Sequence, residues 1–330
     1  MSQYRDQIAA AVGAVTIRGP TRYSWLGRTS RPLPPSIEAE LGESERRSYL
    51  TLSLREELYA SFYTQGLPVP ARWGEPEPVS ADPWLAEALT QANAGHGSWE
   101  PGWTVLRLDD EEAVVASGRL RVRVPVSECR TRFGAIRAGG AISVRLPKEL
   151  PEQSPGFHTV LSDAPADLGE WASVVRVYWN VTSAGAPALV GVLTSHLNRE
   201  GVPFRLKVAD HPFRFDRCDS AVLYLHGEAF PAVRSALRKV AAALAAHLRP
   251  AIPAFTLALA PGTGLAEDDG NDSFGARRCA LLAAGIVSAH VQGLTRIDAR
   301  VDAVAARFAE EGVLTDAPYL EPTLAGRHVL

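Results

Sequence analysis

Several protein classes are excluded by what this 330-residue chain lacks. It has three cysteines, Cys129, Cys218 and Cys279, odd in number and far apart. That spacing argues against a disulfide framework and against a zinc site, and predicts small core residues in a reducing, cytoplasmic setting. No apolar run approaches the roughly 18–20 residues that a membrane span needs. The N-terminal MSQYRDQIAAAVGAVTIRG lacks the basic region that opens a signal peptide. A net charge of −3 gives no broad basic field for nucleic acid. The phosphate-binding G-x-x-x-x-G-K-[ST] pattern is missing, as are G-x-S-x-G, H-E-x-x-H and a G-x-G-x-x-G after a strand. DDGND lacks the spacing of a calcium loop. No internal repeat is present.

What remains is an ordinary globular composition, 46% hydrophobic and 22% charged. The informative stretch runs from Trp171 to Leu225. It holds three strand-like runs around one short helical segment. In Val174–Val181, Val175, Val177, Trp179 and Val181 alternate with Arg176, Tyr178 and Asn180. In Pro203–Ala209, Phe204, Leu206 and Val208 alternate with Arg205 and Lys207. In Arg217–Leu225, Val222 and Tyr224 alternate with Ala221, Leu223 and Leu225. Successive side chains of a strand point to opposite faces, so one face of a paired sheet would be apolar and the other basic. Two readings stand. The basic face is a solvated sheet face. Or Arg176, Tyr178, Arg205, Lys207, Arg214 and Arg217 converge on an anion site.

The flanking chain is read in order. Residues 1–14 have helical spacing, and 19–36 read as an irregular connection rich in proline. Glu45–Gln65 reads as an amphipathic helix with Leu50, Leu54, Leu58 and Phe62 on one stripe. Residues 66–83, with five prolines, read as a loop, and Asp82 caps a helix from Pro83 to Ala94. Strands are expected at Thr104–Leu108, Ala113–Ser117, 119–125 and Ala141–Leu146. Arg119, Arg121 and Arg123 share one face of the third, as a basic surface strand or as a groove for an acidic or phosphorylated partner. The stretch 148–171 reads as a loop, with a turn at Pro155–Gly156. A helix is expected at Pro231–His247, a strand at Pro253–Leu259, then a long loop into a helix capped by Ser273. Arg277 and Arg278 sit in its first turn, paired with Glu267, Asp268, Asp269 or Asp272, or facing an anion. A last helix spans Arg296–Glu311, and AGRHVL reads as a frayed tail.

Taken in order, NAGHGSWEPGW (93–103), RLRVRVP (119–125), PGFH (155–158), RVYWN (176–180), LNREGVPFRLKV (197–208), RCDSAVLYL (217–225) and LAPGTGLAED with SFGARR (259–278) resemble the HopA-like type III effector family. Within it they look most like members encoded beside lanthipeptide and thioamitide precursors. The resemblance covers about residues 45–290. It implies an α+β fold, an antiparallel or mixed sheet flanked by helices, similar to phosphothreonine lyases. Residues 1–95 read as a mainly helical region, with a possible peptide-binding role by position only, followed by an α+β lyase-like catalytic region, 96–330. The resemblance also implies β-elimination of phosphate from phosphoserine or phosphothreonine in a ribosomal precursor peptide, phosphorylated first by a separate Ser/Thr kinase. No metal or other cofactor, nucleic acid or membrane is implied.

Elimination needs a base for the Cα proton and cations for the departing phosphate. A lysine crowded by arginines and partly buried is a competent base, so Lys207 is the expected base. The resemblance pairs it with a histidine acid, His158 first and His196 second. Arg176 and Arg217 are expected to clamp phosphate, with Arg205, Arg119 and Arg278 contributing. Tyr178 or Tyr224 would donate a hydrogen bond to phosphate or to the developing enolate. The alternative is a non-catalytic phosphopeptide or leader-binding module, or a subunit that activates its kinase.

Overall fold

The computed structural model describes residues 3–66, 80–118, 120–165, 173–269 and 273–330. Arg119, Trp171, Asp272 and most of the proline-rich 66–83 segment lie outside these residues. Within them the chain is mixed α+β, with open antiparallel sheets.

The N-terminal part has helix α1 (Gln3–Ala14), then a small meander of β1 (Val15–Ile17), β2 (Tyr23–Trp25) and β3 (Arg28–Thr29). The meander replaces the irregular connection expected from composition. Tyr23 and Trp25 are buried, and that burial orders a segment whose own pattern is too short to read. Helices α2 (Pro35–Glu40) and α3 (Glu43–Glu57) follow, and α3 runs on as a π-helical turn, Leu58–Tyr63. The predicted stripe is real: Leu50, Leu54 and Leu58 are buried. Helix α4 (Pro83–Ala92) begins as expected, its Leu85 N–H donating to Asp82 Oδ1 at 2.7 Å.

A five-stranded sheet comes next, ordered β6-β5-β4-β8-β7. Its strands are β4 (Ser98–Leu108), β5 (Glu112–Ser117), β6 (Leu120–Pro125), β7 (Cys129–Arg130) and β8 (Ala141–Leu146). Trp103, Val105, Ala113, Val115, Ile142 and Val144 form its small apolar core.

The centre of the molecule is a seven-stranded sheet, ordered β14-β15-β11-β13-β12-β10-β9. In chain order its elements are β9 (Glu149–Ser154), β10 (Phe157–Leu161), β11 (Val174–Trp179), helix α5 (Ala186–Arg199), β12 (Phe204–Ala209), β13 (Ala221–His226), helix α6 (Phe230–Ala243), β14 (Leu257–Ala260) and β15 (Thr263–Asp268). Helices α7 (Phe274–Val291) and α8 (Ile297–Glu310) close the chain's regular structure. Every neighbouring pair in this sheet is antiparallel.

The sheet is covered on both faces, which decides against a solvated basic face. One face carries Val175, Val177, Trp179, Leu206, Val208, Leu223 and Leu225, packed under α4, α5 and α6. The other carries Val174, Tyr178, Val222, Tyr224 and Ala266, packed with α1, α3, α7 and α8. Burial of this kind is worth about 1.5–3 kcal/mol for each large apolar side chain. Helices α7 and α8 cross so closely that a Cβ on Gly285 would lie 2.6 Å from Val304 Cα. The three cysteines are free and buried, as expected.

Four expectations need correction. Residues 149–161 form β9 and β10 rather than a loop. The strand expected at Pro253–Leu259 begins at Leu257. The long loop after it contains β15, which is buried along its whole length. The tail is docked, not frayed. The Val329 and Leu330 N–H groups donate to the Glu267 carboxylate at 2.7 and 3.3 Å, and His328 Nδ1 meets the same carboxylate. Glu267 is itself fully buried. A buried carboxylate needs such partners, and they come from about 60 residues away, beyond the reach of any local pattern.

Candidate functional site

The face of the seven-stranded sheet that turns toward α7 is unusual in what it buries. In register across the three central strands, Arg176 of β11 lies opposite Tyr224 of β13, which lies opposite Arg205 of β12. In the adjacent row Tyr178 lies opposite Val222, Val222 opposite Lys207, and Lys207 opposite Thr159 of β10. The period-two alternation read from sequence thus delivers Arg176, Arg205, Lys207 and Tyr178 to one face.

Tyr224 is the centre of the cluster. Its ring centroid lies 4.6 Å from the Arg205 guanidinium carbon, 5.2 Å from that of Arg176 and 5.8 Å from Lys207 Nζ. An aromatic face attracts cations, which lets three of them crowd one ring. Their charges are balanced unevenly. Arg176 is paired with the buried Asp268 at 3.0 Å. Arg205 and Lys207 have no carboxylate partner among the described residues, and Arg205 Nε is buried with no hydrogen-bond acceptor. Thr159 Oγ1 beside them is likewise buried and unpartnered. Burial, then Arg205, then Arg176 push the Lys207 ammonium down to about 8. A minority of Lys207, roughly a tenth to a fifth, is therefore neutral near physiological pH.

Arg217 flanks this cluster. Its guanidinium is held by Asp219, with Nη2 2.7 Å from Oδ2, and Nη2 donates to Tyr59 Oη at 3.3 Å. It lies 5.7 Å from the Phe157 ring and 5.8 Å from the Tyr59 ring. Phe157 is on the same sheet face as Thr159, so Arg217 stands at the β10 side of the cluster. Tyr178 is buried against Tyr63, ring centroids 6.4 Å apart, and burial pushes its phenol well above the usual range. It is a neutral donor at every physiological pH. Arg214 is paired with Asp210 at 3.4 Å.

The two expected histidine acids are not brought to Lys207. His158 lies opposite Val208, so its ring points to the other face of the sheet. There Nε2 is 3.2 Å from Glu149 Oε2. Burial works against the Glu149 charge, but hydrogen bonds from Thr90, Asn93 and His158 outweigh it and hold that carboxyl below its usual range. His196 is on α5, also across the sheet, 2.9 Å from Arg199 Nη2. A one-residue step along a strand reverses the face, and sequence gave no register to settle it. Arg278 is not in the cluster either. It is fully buried on α7, where Nε and Nη2 donate to the Pro318 and Leu320 carbonyls at 2.8 and 2.9 Å. Burial lowers its guanidinium to about 10. It fastens the segment after α8. Arg277 pairs with Asp269 and Glu321, as the ion-pair reading of this turn expects.

Sequence reading missed Thr159, Phe157, Tyr59 and His226. His226 ends β13 opposite Val174, so it shares the face of Tyr224 and Arg176. Its Nδ1 accepts the Glu228 N–H at 3.3 Å. The only available signal was its place two residues after Tyr224, in phase with the basic face.

The fold and site therefore define an α+β protein with a largely buried, partly uncompensated cluster of cations. A sequence model of the HopA1 effector protein family matches residues 149–320, more than half of the chain, and the chain belongs to that family. Two solved structures are similar, the effector proteins of Pseudomonas syringae pv. tomato strain DC3000 and of Pseudomonas syringae pv. syringae strain 61. Each is 16% identical with a TM-score of 0.44. They match over 81% and 82% of this chain and 90% and 89% of their own. No curated protein matches. Among the described residues, no helix is long and apolar enough to cross a membrane.

Proposed function

We propose that this protein eliminates phosphate from phosphoserine or phosphothreonine in a ribosomally made precursor peptide, leaving dehydroalanine or dehydrobutyrine. The pathway would be lanthipeptide or thioamitide biosynthesis, with a separate kinase supplying the phosphopeptide. The observation that carries this reading is Lys207: a half-buried lysine, pushed down to about 8, beside an arginine with no carboxylate partner among the described residues. A lysine lowered to about 8 supplies a neutral amine within about one pH unit of neutrality, which a base requires and a pure anion binder does not.

In the proposed reaction neutral Lys207 takes the Cα proton. The electron pair forms the Cα–Cβ double bond and the Cβ–O bond breaks. Phosphate departs with both electrons of that bond. Arg205 and Arg176 hold its oxygens, and Thr159 and Tyr224 offer hydroxyl donors. His226 replaces His158 and His196 as the proposed hydrogen-bond donor to the leaving phosphate, which departs as the hydrogenphosphate of a monoprotonated phosphoester, since its strand position shares the face. Arg217 holds the peptide or phosphate at the β10 side.

The test is mass spectrometry of a synthetic phosphothreonine peptide incubated with this protein alone. Loss of the mass of one phosphoric acid per site supports the reading, provided Lys207→Ala stops it. Tight binding of that peptide without loss of mass would instead favour a non-catalytic phosphopeptide module.

A further inference from the structure

Among the described residues, the five-stranded sheet has an unpaired edge. Strand β6 pairs with β5 on one side and is an outer strand of the sheet on the other. An outer strand offers alternate N–H and C=O groups to an incoming strand. Its two faces have opposite chemistry. Val122 and Val124 continue the sheet's apolar core but are only partly buried, and Leu120, in phase with them, is 56% exposed. Arg121 and Arg123 lie on the opposite face, in register with Ala116 and Val114. Arg121 is exposed and makes no ion pair among the described residues, and Arg123 makes a loose, exposed one to Glu112 at 3.3 Å. Such a pair is worth little in water. Arg107, opposite Val114 on β4, adds a third cation to this face.

We infer that the β6 edge binds an extended peptide segment in which acidic residues alternate with aliphatic ones, added as a sixth strand. Two residues of a strand span roughly 6.6 Å, so every second side chain of the added strand meets Arg121 and then Arg123. The residues between them cover Leu120, Val122 and Val124. The occupant is not a second copy of this chain, because pairing β6 with β6 sets arginine beside arginine. The backbone edge and the alternation favour a peptide over nucleic acid, which would use the arginines but not the row of exposed Leu120 and partly buried Val122 and Val124. The site lies outside residues 149–320, the part of the chain that the family model matches, and stands independently of the elimination chemistry.

The test uses the full chain and a fluorescein-labelled, unphosphorylated synthetic peptide alternating Glu and Val, read by fluorescence anisotropy and amide hydrogen exchange. Expected are saturable, salt-sensitive binding, slowed exchange in β6, and a loss of roughly tenfold or more in the Arg121→Glu/Arg123→Glu variant. The milder Arg121→Gln variant, checked for an unchanged melting temperature, should lose a smaller part. Lys207→Ala should bind the peptide as the parent does. The inference is overturned by any of four results: no saturable binding; equal binding of a Lys-for-Val-and-Glu-swapped basic peptide; slowed exchange confined to other strands; or tighter binding of a single-stranded oligonucleotide to the same arginines. A concentration-dependent dimer abolished by Arg121→Glu/Arg123→Glu would also overturn it.

Discussion

Strands β6 and β12 read almost alike in sequence, LRVRVP against FRLKVA, yet the fold gives them opposite physics. In β6 the cations face water at the rim of a small sheet, where screening leaves each guanidinium close to an isolated ion. In β12 the same alternation sits in the interior of a sheet covered on both faces. There Arg205 and Lys207 lose solvent, crowd one tyrosine ring and repel each other, and Lys207 falls to about 8. The same alternation of cations thus faces solvent where it is exposed and acquires a perturbed ionisation where it is buried.

The largest expected break between the two strands is catalytic. Lys207→Ala should lower kcat/KM for a phosphothreonine peptide by about 10³-fold, within the range of a lost general base. Arg121→Glu/Arg123→Glu should leave turnover of a short phosphopeptide unchanged, because the proposed chemistry lies on the other sheet. Equal losses in both variants would erase the distinction.

Arg205→Gln comes next. It removes the proposed phosphate ligand and should cost roughly 10²-fold in kcat/KM. It also removes the nearest cation depressing Lys207, so the pH at which activity reaches half its maximum should move upward. A loss of rate with an unmoved pH profile would make Arg205 a clamp that does not tune the base.

The pH dependence itself follows from the sign of the Lys207 shift. Its folded value is below its unfolded one, so the protonated form disfavours the fold and cannot act as a base. For the parent, kcat/KM should rise with pH and flatten above about 8. A profile flat from pH 6 to 9 would remove Lys207 from the base role.

The smallest effect is on stability. Protonated Lys207 is a cost that grows as pH falls from the unfolded lysine value, 10.5, through about 8. Lys207→Met should therefore raise the stability at pH 7, and with it the melting temperature, by no more than about 1 kcal/mol after allowing for solvent screening of a half-exposed ammonium. The equivalent change at Arg121 should leave it unmoved. Thermal unfolding of both variants at pH 7 and at pH 9.5 checks this, since the Lys207→Met gain should shrink at the higher pH.

How much of this was legible depends on whether the cause is local. The cationic cluster was visible because period-two alternation in β11 and β12 is written in consecutive residues. The helix caps at Asp82 and Ser273 were visible for the same reason, each made within three residues. Strand β15 was not, because TGLAED looks like a loop until Glu267 is seen to be held by residues 321–330 and Asp268 by Arg176. His158 was misplaced because its motif marks a turn and a strand start but not which face the ring takes. His226 was passed over because nothing beside it in sequence reveals that β13 lies between β11 and β12.

The sequence by itself determined the alternation, the helical stripes, the caps and the membership of basic and apolar residues on opposite faces, since each arises from the geometry of a few adjacent residues. Tertiary structure decided the strand order, the covering of both sheet faces, the choice of which arginines meet a carboxylate and which do not, and hence the lowered Lys207. Those depend on desolvation and on partners distant in the chain, and neither burial nor a long-range contact is a property of any short stretch of residues.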